Sequence, residues 1–295
     1  MRLSALAAVC LTAAASSAAP TFEQHWQDGQ AEISGYRLTV NRYGEPRLGQ
    51  AVMIYVTEPF STSQFVKVDD AAAAPGDTFE ALKLNLIRDF QTGVYDYNTM
   101  VSVFTRSADF SPVKITCSVA EWCGHVFEEM RFHADRIETR IASYFQGESG
   151  EIPLDPRPDA VAEDALFIQL RGLRGPRLQP GETEMISLIE SAFLRRLHHR
   201  ALHWEEALLT RREGTARIEV PAGEFDVTVY ELSVPDQPPR TYFVEEAYPH
   251  RIIRYEFGQS ETLELTGTAR MPYWEMNGAG DESHLEAVGL QPLPR

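Results

Sequence analysis

The chain has 295 residues, 43% of them hydrophobic and 10% aromatic, which supplies the core of one large domain or two small ones. Its formal net charge is −16. So acidic a chain repels phosphate backbones and anionic surfaces, which excludes nucleic acid from the expected partners.

Residues 1–19 read as a cleaved signal peptide. Arg2 opens it, an uncharged apolar run from Leu3 to Ala15 follows, and Ser16-Ser17-Ala18-Ala19 ends it with small residues. Cleavage after Ala18 is preferred, because Pro20 disfavours a cut directly before it. Cys10 makes a poor lipoprotein site, since Val9 precedes it and the apolar run continues past it. The run is shorter than the about 20 apolar residues that a spanning helix needs, and no later segment reaches that length. A periplasmic or secreted protein without a transmembrane segment is expected.

Residues 20–275 read as a single β-rich domain. The stretch 31–43 alternates, with Ile33, Tyr36, Leu38 and Val40 as its apolar positions and an irregularity at Gly35. A turn at 44–49 leads to a strongly β-forming segment at 50–57. The same texture recurs at 64–68, 79–90, 99–106, 113–122, 125–133 and 136–145, with a hairpin turn around Ala134-Asp135, as in an antiparallel meander. Residues 146–160 carry Gly, Pro and charge and read as a loop. A helical section is expected at about 160–200, with helices over 162–170 and 184–199; the second places Ile186, Ile189, Phe193 and Leu197 near one face. Strand texture returns from 203 to 270, and the polar stretch 276–295 reads as a flexible tail. The expected fold is mainly β: a large, curled antiparallel sheet resembling a half-barrel, with a short central helical section. Its concave face either packs on the helices or receives a ligand.

Three stretches carry a family resemblance: Trp26-x-x-Gly29 running to Gly35-Tyr36 and Arg42-Tyr-Gly-Glu45, then Ala51 to Glu58, then Glu121-Trp-Cys-Gly-His125. With them the chain resembles an uncharacterised family of exported bacterial proteins, over most of residues 22–270. Members of that family are sometimes labelled "septum formation inhibitor Maf". The chain matches nothing of the N-terminal phosphate-binding loop found in the nucleotide pyrophosphatases of that name. The segments Pro221 to Val227 and Val244 to Ile252 are similar to a domain of unknown function related to lipoprotein-carrier half-barrels. That resemblance implies a concave sheet able to hold acyl chains.

Trp122-Cys123-Gly124-His125 looks like a thioredoxin-type motif with Val126 in place of the second cysteine. A redox relay needs a resolving thiol. Cys117 lies about 20 Å away along a straight strand, so a disulfide between the two requires a bend. Glu121, Cys123 and His125 are the candidate centre of an exported thiol enzyme, against the plainer reading of a turn with a buried thiol. His199 and His203 stand four apart, but Arg200 occupies the position where a zinc protease carries glutamate. No metal or other cofactor is expected. The run Arg195-Arg196-Leu197-His198-His199-Arg200 is the main basic patch and reads as a solvated face. Tyr36, Tyr43, Tyr55, Tyr95, Tyr97 and Trp122 are candidate ligand-binding residues on the concave face, as aromatics with a few polar groups make an adaptable pocket. The leading expectation is a non-enzymatic envelope protein binding a lipid, an acyl chain or a protein partner there.

Overall fold

The computed structural model describes residues 20–292, so the predicted signal peptide at 1–19 lies outside the described residues. A capped turn, α1 (Phe22–Trp26), leads into a meander of eight strands. These are β1 (Ala31–Arg42), β2 (Glu45–Ser61), β3 (Thr78–Thr92), β4 (Tyr95–Arg106), β5 (Pro112–Glu121), β6 (Gly124–Phe132), β7 (Ile137–Ser143) and β8 (Gly150–Leu154). Next come β9 (Ala160–Ala162), a 3₁₀ turn at Glu163–Ala165, α2 (Leu166–Gln169), β10 (Thr183–Ile189) and α3 (Ala192–Leu197). The chain then makes β11 (Trp204–Arg211), β12 (Ala216–Val220), β13 (Gly223–Ser233), β14 (Arg240–Glu245), β15 (Ile252–Phe257) and β16 (Glu261–Met271). All sixteen belong to one sheet, antiparallel except at β9–β10, and β16 pairs with β1 in its middle.

The two edge strands, β8 and β9, are consecutive in sequence. Five residues join them, so their ends lie within about 22 Å, whereas fifteen strands laid flat span about 67 Å. The sheet therefore curls almost into a barrel, as strand twist favours. Pro153 on β8 and Pro156 and Pro158 in the connection blunt the open seam, because proline offers no N–H to an added strand.

Alternation sorts each strand into a wall-lining and an outward set. Along β3, Leu82, Leu84, Leu86, Arg88 and Phe90 are buried and point inward. The enclosed space is filled by the segment between β9 and β11. Leu166, Phe167 and Ile168 of α2 and Ala192, Phe193 and Leu194 of α3 are each at most 3% exposed. Helices surrounded on every side carry no apolar stripe, and the charged residue they bury, Arg195 of α3, has to be paired.

Ion pairs tie this plug to the wall. Arg171 after α2 meets Glu32 of β1 at 2.9 Å, and Arg195 of α3 pairs with Glu128 of β6. Arg240 of β14 meets Glu163 at 3.2 Å and Glu190 at 2.7 Å. Arg88 and Glu261 bridge β3 and β16 at 2.5 Å, with Phe193 of α3 stacked 4.2 Å from the guanidinium. Asp164 accepts from Ser191 Oγ and from the Ala192 backbone N–H, capping α3 from outside its own sequence. Burial and the neighbouring Glu163 carboxylate push Glu190 up to about 7.

The mainly β fold, its antiparallel curl and the central helical section agree with the sequence-based expectation, and a bulge does fall at Gly35/Tyr36. Several elements differ. The predicted helix at 184–199 is strand β10 followed by α3, because Ile186 to Leu194 is buried throughout and offers no period. The predicted loop at 146–160 contains β8. Residues 64–68 are no strand: Phe65 is left-handed, with φ 58°, and one isolated bridge joins Phe60 to Lys67. The polar segment expected to be flexible instead forms a 3₁₀ helix, Asp281–Val288, packed on the outer face of β1 and β16. The inner face is lined with core side chains and closed by the plug, so the expected concave ligand face is occupied.

Candidate functional site

The predicted aromatic set divides in two. Tyr36 and Tyr55 are interior struts: Tyr36 Oη donates to Ile252 O at 2.8 Å and Tyr55 Oη to Phe167 O at 3.0 Å. Burial holds both phenols above their ordinary range. Tyr43, Tyr95 and Tyr97 meet at one rim, where Tyr95 Oη donates to Tyr43 Oη at 2.9 Å and Tyr43 and Tyr97 hydroxyls lie 3.2 Å apart. Arg42 sits over the Tyr43 ring at 4.3 Å and donates to Leu197 O at 2.8 Å, joining this rim to the end of α3. Trp122 is 71% exposed there and donates to Asp96 at 2.7 Å. These contacts pair the rim aromatics with one another, with Arg42 and with Asp96.

Trp122-Cys123 forms the two-residue connection between β5 and β6, with Cys123 exposed. Its backbone N–H donates to Glu121 at 2.9 Å. The Glu121 carboxylate holds the Cys123 thiol above its usual range, which disfavours the reactive thiolate. His125 is exposed on the outward face of β6, and no hydrogen bond joins its ring to Glu121 or Cys123. Gly124 is needed because a Cβ there would stand 2.5 Å from the Tyr144 ring. Cys117 points into the core from β5 while Cys123 is exposed in the connection after it, and both thiols are free. α3 ends at Leu197, so His199 and His203 do not share a helix face; His199 instead pairs with Glu148 at 2.6 Å and His203 with Glu205 at 3.3 Å. Among the described residues, no group of three or more His, Cys, Asp or Glu is placed to hold a metal ion. No helix among them is long and apolar enough to cross a membrane. The basic run is no solvated face at its start: Arg195 is 3% exposed and belongs to the plug.

The apolar opening lies on the opposite side of the wall. Cross-strand partners Ile33 and Ile54, and Val52 and Ile87, point outward from β1, β2 and β3. They floor a groove of about 430 Å³ whose walls include Met271, Met276 and Leu285. Its roof is the C-terminal segment, anchored by Val288 and Leu290, which are 1% and 5% exposed. Thr266 Oγ1 donates to Val288 O at 2.8 Å. Gly35 and Gly267 permit this approach, since a Cβ at Gly35 would fall 2.1 Å from Val288 O and one at Gly267 2.8 Å from Ala287 O. Sequence reading missed this site because its roof has only two anchoring apolar residues. The available signal was a pair of glycines facing each other in adjacent strands.

Beyond the groove an outward row, apolar except at Ser118, continues across the sheet. Val52 pairs with Ile87, Ile87 with Met100, Met100 with Ser118, and Ser118 with Phe127. Met100 and Phe127 are 36% and 44% exposed. Beyond Ile54 the rows on either side are mostly polar: Asn85, Ser102 and Thr116 on one, Gln50, Asp89 and Asn98 with Ala120 on the other. The stripe is thus one residue wide and four strand spacings long, about 19 Å.

No family model matches the chain, and no curated protein matches it. Among solved structures, it is similar to the beta-barrel-like protein of the domain of unknown function DUF1849 from Brucella abortus. The identity is 9% and the TM-score 0.48, over 82% of this chain and 98% of that one.

Proposed function

We propose that this is an exported, non-enzymatic envelope protein that holds a linear acyl chain in the groove between the outer sheet face and the C-terminal segment. The observation that carries this reading is the groove of about 430 Å³, floored by Ile33, Val52, Ile54 and Ile87 and walled by Met271 and Met276. Its size falls in the range of small-molecule sites, and methionine walls adapt to a flexible apolar occupant. The row running on to Met100 and Phe127 favours a chain over a folded partner, because it is too narrow for a protein face and has polar rows on both sides. Asn277 and His284, also in the lining, offer polar contacts for a headgroup.

The test is displacement of a fluorescent long-chain fatty acid from the mature protein by unlabelled palmitate. Saturable binding is expected, weakened about tenfold by Ile87→Lys, which sets a charge on the groove floor. Met276→Lys, on the wall and off the sheet, repeats the test without touching strand pairing. Absence of saturable binding, or affinity unchanged in both variants, overturns the proposal.

A further inference from the structure

In an antiparallel meander every second turn falls at the same end, so the turns β1–β2, β3–β4, β5–β6 and β7–β8 share one end of the barrel. Two large aromatic rings stand on the outer face there. Trp122 follows β5 and is 71% exposed; Tyr144 follows β7 and is 64% exposed. Both rings are fixed. Trp122 leans over β4, where its Nε1–H donates to Asp96 at 2.7 Å. Tyr144 leans over β6: its ring lies against Gly124, where a Cβ would stand 2.5 Å away, and Phe145 meets it edge-on at 5.3 Å. The fold thus orients two rings and keeps most of their surface in water, the reverse of burial.

Two strand spacings, about 10 Å, separate β4 from β6. The outward residues between the rings are the cross-strand partners Asn98, Ala120 and His125. Ala120 keeps the middle of this row shallow. Asn98 donates one N–H to Asp89 and keeps its carbonyl oxygen open. His125 makes no hydrogen bond to another described residue, so its ring offers both a donor and an acceptor. Asp96 adds its second carboxylate oxygen beside Trp122. The result is a shallow strip with an aromatic ring at each end and neutral polar groups between.

We infer that this strip binds an extended, uncharged, β-linked polysaccharide, with pyranose rings stacked on Trp122 and Tyr144 and the hydroxyls between them meeting Asn98, His125 and Asp96. A pyranose has an apolar C–H face, which suits the negative face of an aromatic ring, and a rim of hydroxyls that donate and accept. Tryptophan and tyrosine supply this contact at low cost in side-chain freedom. A β-linked chain is straight enough to reach both rings along a flat strip, whereas a coiled α-linked chain is not. Other partners fit less well. A nucleotide brings phosphate, which Asp96 and Asp89 repel. At a bilayer surface the polar edge of tryptophan faces the headgroups, but this N–H is already given to Asp96. A protein interface is depleted of charge at its core, and here two aspartates lie along the strip.

The experiment is calorimetric titration of the mature chain with cellohexaose and chitohexaose, with maltohexaose as the coiled control, beside sedimentation with phosphatidylcholine vesicles. Saturable binding of at least one β-linked hexasaccharide is expected, with maltohexaose clearly weaker. Trp122→Ala and Tyr144→Ala each weaken it about tenfold, as loss of an aromatic anchor does. Gly124→Ala, which moves the Tyr144 ring without removing it, weakens it too. If one alanine variant does not fold, the other decides. No binding of either β-linked hexasaccharide, or affinity unchanged in the alanine variants, overturns the inference. Vesicle binding that Trp122→Ala abolishes, without glycan binding, also overturns it and assigns the strip to a bilayer. The acyl groove is tested separately, since Met276→Lys leaves glycan affinity unchanged.

Discussion

Replacing Arg240 with Met tests whether ion pairs fasten the plug to the barrel wall. Arg240 is fully buried and reaches two carboxylates, Glu163 at 3.2 Å and Glu190 at 2.7 Å, while stacking 4.1 Å from the Phe257 ring. Methionine keeps much of the volume and loses the charge. Glu190 retains Arg200, but Glu163, 1% exposed, is left with the Ser191 backbone N–H at 3.1 Å. Removing one partner of a buried pair costs about 3–5 kcal/mol, because the other charge stays desolvated. For a domain of this size that lowers Tm by about 6–20 °C. Burial already raises the Glu163 carboxyl above its ordinary 4.5, and Arg240 opposes that rise. Without Arg240 it rises further, so the folded state prefers the proton. The deficit against wild type is then full above the folded pKa and shrinks as pH falls toward 4.5 and below. Urea unfolding at neutral and acid pH measures this. Adding Glu163→Gln to the variant recovers more than half of the loss. A loss below about 1 kcal/mol, or no recovery in the double variant, refutes the fastening argument.

Two further outcomes follow from the same geometry. Gly35→Ala sets a methyl 2.1 Å from Val288 O, so the C-terminal roof must lift and expose Val288 and Leu290, each about 1.5–3 kcal/mol of burial. Hydrogen exchange across residues 281–292 then accelerates strongly and fatty-acid affinity falls. Unchanged protection there rules out the docked roof. Cys123 reacts more slowly with a thiol reagent at neutral pH than a free cysteine does, and Glu121→Gln speeds it several-fold by removing the charge that raises its pKa. Fast reaction in the wild type, unaffected by that substitution, contradicts the assigned cause.

The strands were legible because alternation is local. β3 and β5 place most of their buried apolar residues on one face, and their turns carry the expected residues. The pairing of β1 with β16 was not legible, since it joins Gly35 to Gly267 across most of the chain and leaves no local trace. The plug was misread in part for a different reason: surrounded on all sides, β10 and α3 show neither a period of two nor of 3.6. Of the six predicted aromatics, Tyr36 and Tyr55 are buried struts, whereas the rim trio and Trp122 are paired with one another, with Arg42 and with Asp96. Hydropathy cannot distinguish a satisfied aromatic from a vacant one.

The buried charges were readable by a rule that composition conceals. In β6, Glu128 falls in register with Val126, Met130 and Phe132, and in β3, Arg88 falls in register with Leu86 and Phe90. A charge in the inward register cannot remain unpaired in an apolar interior. Each such position therefore demands an opposite charge, from elsewhere on the wall or from whatever fills the barrel. Arg88 finds Glu261, and Glu128 finds Arg195. Read this way, an inward Glu128 already places part of the run 195–200 inside the barrel. A net charge of −16 says nothing of this, because averaging over the chain erases the register that decides which arginines are dry. Arg196, in the same run, stacks on Phe145 and pairs at 3.8 Å with Glu121 at the end of β5, so even the half-hidden arginine of this run is answered by a charge on the wall.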